Sequence, residues 1–133
     1  MTFSTRPDGA DQAAAARIAA LLADRDDGRC AACGQNGDTA QVAPVHRRRS
    51  RLEQGDRSDL SGWLLLCGTD TTGCRGRIED EPGWARETGL TVAAHRDPAD
   101  VPVWHALHGL VWLDAEGGVY PAPGRGTGQE GGR

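Results

Sequence analysis

Trp63-Leu64-Leu65-Leu66-Cys67-Gly68-Thr69-Asp70-Thr71-Thr72-Gly73-Cys74 joins a five-residue apolar run to a polar turn that closes on a second cysteine. A run of that length and composition suits a buried strand and is too short for a helix. The six residues between the cysteines include two glycines and three threonines, a composition that folds into a tight turn and brings Cys67 and Cys74 together. A helix is expected to begin within 71–75, continue through Ile78 and Asp80, break near Pro82 and resume over 84–88.

Upstream lies Cys30-Ala31-Ala32-Cys33, separated from Cys67 by 33 residues. Two residues between thiolates let both sulfurs reach one ion at about 2.3 Å. No secretory leader is visible, so the expected compartment is reducing, which favours structural zinc at Cys30, Cys33, Cys67 and Cys74 over disulfides. Free buried thiols and redox chemistry are the alternatives. Four thiolates leave no open coordination position, so such an ion holds the fold and performs no chemistry. With one Phe, one Tyr and one Met, the chain has few large side chains and gains much from such a staple.

The 133 residues make room for one compact domain with tails. No apolar run of membrane-spanning length is present, and the expectation is a cytoplasmic protein with no membrane partner. Net charge is −4, and all 15 basic residues are Arg. Residues 1–9 read as a disordered leader. Ala10, Ala13, Ala14, Ile18, Leu21 and Leu22 recur near helical spacing, which predicts a helix over 10–25 ended by Asp26-Asp27-Gly28. The predicted domain runs over 10–120, with a core at 28–90.

A strand through Val42, Pro44 and Val45 leads into His46-Arg47-Arg48-Arg49-Ser50-Arg51, the most basic stretch of the chain. If the strand continues, Arg47 and Arg49 point one way and Arg48 the other. Three C-terminal strands are expected, around Leu90-Val92-Ala94, Val101-Val103-Trp104 and 110–113, with a turn at Gly117-Gly118 and a disordered tail over 121–133. His95, His105 and His108 read as surface or core imidazoles, and Trp63, Trp84, Trp104 and Trp112 as core.

The ordered series of a C-x2-C knuckle, a strand ending in His and Arg-Arg, an apolar strand ending Leu-Leu-Cys-Gly, and Thr-Thr-Gly-Cys before a helix resembles the HNH endonucleases. The likeness is to the small zinc-stapled bacteriophage type, and it extends from about Cys30 to Val119. It implies an α+β chain with a treble-clef-like ββα-metal (His-Me finger) fold. It also implies His46 as general base, with Mg²⁺ or Mn²⁺ assisting phosphodiester hydrolysis. The site is degenerate. Val45 stands where the family has a metal ligand, Gly62 (or Trp63) where it has Asn, and Arg75 where it has a final His. Losing the ion forfeits several kcal/mol of transition-state stabilisation, so the rate falls by about 10³ or more. Asp59, Asp70, Glu79 and Asp80 are the carboxylates near enough in sequence to substitute, and Arg75 is a candidate phosphate clamp.

In that family context Arg47, Arg48, Arg49, Arg51, Arg57 and Arg75 are candidate nucleic-acid contacts, largely independent of base sequence. The leading expectation is therefore a DNA-binding, zinc-stabilised pseudo-nuclease, weak or inactive, acting in a bacterial host cell if phage-encoded. The alternatives are an active metal-dependent nickase using His46 with rearranged ligands, and a protein-binding zinc module such as a phage accessory or inhibitor factor.

Overall fold

The structure, a computed structural model, describes residues 5–37 and 41–122. It is an α+β arrangement of a long helix, two short helices and two small antiparallel sheets. Helix α1 spans Thr5–Asp26, so it begins before the Ala-rich tract and takes in part of the segment read as a leader. It ends where Asp27 and Gly28 take positive φ of 56° and 66°, and the Gly28 amide donates to the Ala23 carbonyl at 3.0 Å. That 6→1 bond is the Schellman closure, which satisfies carbonyls the last turn leaves open.

Strands β1 (Val42–His46) and β2 (Trp63–Cys67) pair antiparallel, with His46 opposite Trp63 and Val42 opposite Cys67. Pro44 is tolerated because β1 is an edge strand. The two faces of β2 serve different layers. Leu65 packs with Leu22 of α1 and Leu60, while Leu64 and Leu66 join the main core with Ile78, Ala85, Leu90, Val103, Val111 and Leu113. Over residues 12–26, where the side chains are described, one stripe of α1 is used: Ile18, Leu22, Arg25 and Asp26 face the body, and residues 12–17 are exposed. Burying Leu22 completely contributes about 1.5–3 kcal/mol, and little else apolar on the helix does so.

Helix α2 (Gly73–Asp80) follows β2, and α3 (Pro82–Glu87) restarts after a break at Glu81. Proline at the first turn of a helix forfeits no needed hydrogen bond. Strands β3 (Val103–His105), β4 (Gly109–Leu113) and β5 (Val119–Pro121) form the second sheet in that order. The strand expected at Leu90-Val92-Ala94 does not form. Leu90, Thr91 and Val92 are buried, but the segment makes single bonds, Thr91 N–H to the Ala85 carbonyl and Val92 N–H to that of Arg47, rather than a ladder. Leu90 and Val92 thus plug the interior without pairing, and Ala94 is exposed. The tail expected over 121–133 lies outside the described residues from 123 onward, while Pro121 ends β5 and Ala122 is buried.

Trp104 and Trp112, expected in the core, point outward. They are 57% and 40% exposed, because the period-2 alternation of β3 and β4 commits Val103, His105, Val111 and Leu113 to the inside.

Candidate metal centre and His46 cleft

The Cys30–Cys33 turn is held against β2 by the Ala31 amide, which donates to the Leu65 carbonyl at 2.7 Å. Gly34 closes it with φ of 83°. At the other end, Gly68 and Gly73 approach so closely that a Cβ on either would lie 2.7 Å from the other's Cα, so only glycine fits both corners of the loop between Cys67 and Cys74. Thr72 Oγ1 accepts from the Thr69 amide at 3.0 Å inside the same loop. Local chemistry therefore delivers one cysteine at the end of β2 and one in the first turn of α2.

The four sulfurs all lie within 4.8 Å of one another, and those of Cys33 and Cys67 are 3.7 Å apart. A tetrahedral ion with bonds of about 2.3 Å spaces its sulfurs by roughly 3.8 Å, so the cluster fits one metal ion of that size. The cysteines are free thiols and not disulfides. Burial pushes the Cys33 and Cys74 thiols up. Burial also acts on Cys30, but the amides of Cys33, Cys67 and Ala32 around its sulfur outweigh that and lower it. A thiol shifted toward its anion beside thiols that resist ionisation makes a set that a cation would bring to the thiolate state together.

His46 ends β1 and is 7% exposed. Its Nδ1 accepts the Arg48 amide at 3.0 Å, which assigns the ring proton of the neutral imidazole to Nε2. The protonated edge lies over Gly62, where an added Cβ would sit 2.6 Å from Nε2. The ring thus fills the space that a side chain at position 62 would need. Trp63 packs edge-on against His46, with centroids 4.9 Å apart. Burial, together with the charges of Arg48, Arg57 and Arg47, pulls His46 down to about 4, against the amide contact with Arg48. His46 is neutral at physiological pH, and its lone pair is already engaged.

Arg47 requires a correction. It is completely buried and cannot touch a nucleic acid. Its guanidinium donates to the carbonyls of Gly89 (2.9 Å), Ser61 (2.9 Å), Pro98 (2.9 Å) and Val101 (2.7 Å). Burial, then repulsion from Arg25, lowers it to about 9, still charged at neutral pH. The strand ends at His46, so the alternation expected along 47–49 does not apply.

The other arginines divide. Arg48 braces the carbonyls of Glu53 and Arg96, and its Nε is buried without a partner. Arg49 pairs with Glu79. Arg57 is exposed and Arg75, beside Cys74, is half-buried. Arg51 begins a 3-10 turn over Arg51–Glu53, and its side chain lies outside the described residues. Beside His46 runs a cleft of about 330 Å³ whose walls include Arg48, Arg96 and His95 together with the acidic Asp56, Asp59 and Asp97.

Those three carboxylates are turned to their own backbone: Asp59 accepts from the Ser61 amide, Asp97 from Ala99, and Asp56 from Ser58. Among the described residues, none of Asp59, Asp70, Glu79 or Asp80 joins His46 in a group able to hold a metal ion. Arg96 and His95 were missed from sequence because they approach His46 only through the fold. No helix among the described residues is long and apolar enough to cross a membrane. No family model, curated protein or solved structure matches the chain.

Proposed function

We propose that the chain is a zinc-stabilised, HNH-like module of treble-clef ββα-metal design that binds nucleic acid without hydrolysing it efficiently. The observation that carries this reading is the pairing of a two-strand, one-helix frame around four thiols with a His46 whose Nδ1 accepts the Arg48 amide. A general base needs a lone pair aimed at water; the neutral ring here offers a proton at Nε2. Val45 packs in the core, Gly62 has no side chain, and Arg75 is a cation, so none of the three holds a divalent ion. Beside the carboxylates of Asp56, Asp59 and Asp97, the cleft keeps donors, His46 Nε2–H with Arg48 and Arg96, suited to a phosphate oxygen. The ion at the four thiolates is zinc in this reading, and its chemistry is structural: it clamps the Cys30–Cys33 turn, β2 and α2 into one unit.

Duplex DNA titrated across salt concentration tests the binding half. Affinity should fall linearly in log–log form with a slope reporting the few phosphates contacted; affinity insensitive to salt contradicts it. A second reading, a protein-binding zinc module, has its own support in Trp104, Trp112 and Tyr120, all exposed on one sheet face of a chain of net charge −4. In that case the same titration detects no DNA binding.

A further inference from the structure

His105 and His108 are separate imidazoles in the sequence, yet the β3–β4 hairpin carries both to Asp26 at the end of α1. Nε2 of each ring lies 3.3 Å from the same atom, Asp26 Oδ1, and the three ligand atoms fall within 4.8 Å of one another. The Asp26 and His105 side chains are fully buried, while His108 is 22% exposed. His105 Nε2 faces the carboxylate without a well-directed hydrogen bond. We propose that Asp26, His105 and His108 form a second cation site, independent of the four cysteines, for a divalent transition metal ion of the zinc class, entered from the His108 side.

Two imidazoles and a carboxylate are the donor set such ions take. Bonds of about 2.0–2.1 Å place the ligand atoms of a tetrahedral ion roughly 3.3–3.4 Å apart, which is the spacing of each imidazole nitrogen from Asp26 Oδ1, while the two nitrogens lie within 4.8 Å of each other. An N–H···O bond is most often about 2.9–3.0 Å, so both contacts are long for hydrogen bonds. The site also sits at the negative end of the α1 dipole, with the Arg25 carbonyl 3.1 Å from His108 Nε2. Burial raises the Asp26 carboxyl, but His105 and Arg25 outweigh it and hold it at about 2, so it is an anion at neutral pH.

Two features oppose the ion and set its affinity. Arg25 forks onto Asp26 at 2.9 and 2.8 Å, using one lone pair on each oxygen and leaving others free. Its charge makes this site weaker than the four thiolates. Leu107 N–H donates to His105 Nδ1 at 3.1 Å, so the metal-free ring carries its proton on Nε2. On binding, Nε2 releases that proton to solvent and Nδ1 takes one up, so the residue's proton count is unchanged; His108 Nε2, whose proton faces the Arg25 carbonyl, exchanges in the same way and gives up that bond. The Leu107 amide, in the turn between β3 and β4, gives up its acceptor. The tautomer is therefore a reporter of occupancy.

The test uses the full chain, purified with one equivalent of zinc, then dialysed against increasing Zn²⁺. Metal content is measured beside long-range ¹H–¹⁵N spectra of the histidines. The expected result is a second, weaker equivalent whose uptake converts His105 from the Nε2–H to the Nδ1–H form. His108→Ala, at a partly exposed position, should keep the first equivalent and lose the second, with backbone spectra reporting that it is folded. A single equivalent at saturating zinc, a second that leaves the His105 tautomer unchanged, or a second retained by folded His108→Ala would each overturn the site.

Discussion

Arg47 and Gly89 stand 42 residues apart in the chain, and the Arg47 Nε donates to the Gly89 carbonyl at 2.9 Å in the interior. The same guanidinium reaches Ser61 before β2, and Pro98 and Val101 before β3. One side chain therefore ties the end of β1 to three later segments that have no ladder joining them. Arg47→Met should cost about 3–5 kcal/mol, because it strands buried carbonyls. Arg47→Lys should recover little of that, since a point charge does not reproduce a planar fork. Urea unfolding of the metal-loaded protein checks both; a loss under 1 kcal/mol for Met shows that Arg47 is not a tie.

Acid sensitivity has a defined window. His46 has a folded value of about 4, below the ordinary imidazole value near 6.5, so on acidification the unfolded chain takes the proton first. Its contribution is full above about pH 6.5 and is lost as pH falls toward 4. Asp26, held at about 2 against an ordinary 3.8, contributes fully above about pH 4 and loses its share as pH falls from there toward 2. The urea midpoint of the parent should therefore drop between pH 7 and 4.5 more steeply than that of His46→Gln. Equal slopes in the two proteins would remove His46 from the explanation and leave metal release.

Metal removal should unfold the main core. The Cys30–Cys33 turn, β2 and α2 meet at the four sulfurs, so an ion there adds on the order of 10 kcal/mol to folding. A strong chelator with mild denaturant, or Cys74→Ser, should abolish the cooperative transition. A folded, metal-free chain under the same conditions contradicts a structural ion.

The proposed nucleic-acid interface is narrower than the basic run suggests. Arg57→Glu and Arg75→Glu should each weaken DNA binding and reduce the magnitude of its salt slope by about one phosphate contact, measured by fluorescence anisotropy across salt. Unchanged slopes in both variants place the footprint elsewhere.

Much of this arrangement is legible before the fold. Trp63–Cys67 forms the expected strand, the helix breaks ahead of Pro82, and four spaced cysteines converge, because each depends on local composition or chain punctuation. Arg47 was not legible. A run of arginines looks solvated, and only the carbonyls of distant loops make a buried guanidinium tolerable. Leu90, Val92 and Ala94 misled for a related reason: Leu90 and Val92 are buried but Ala94 is exposed, and among the described residues no strand pairs with them. His105 and His108 meet Asp26 only once α1 docks against the β3–β4 turn, a relation across about 80 residues that no spacing rule reaches.

Supercoiled-plasmid nicking in Mg²⁺ and in Mn²⁺, with the parent beside His46→Ala and both carrying metal at the four cysteines, tests the central claim most directly. A His46 whose lone pair is engaged by the Arg48 amide predicts no more nicking by the parent than by the variant. Cleavage by the parent that disappears on His46→Ala would contradict the account and make the chain a working nuclease.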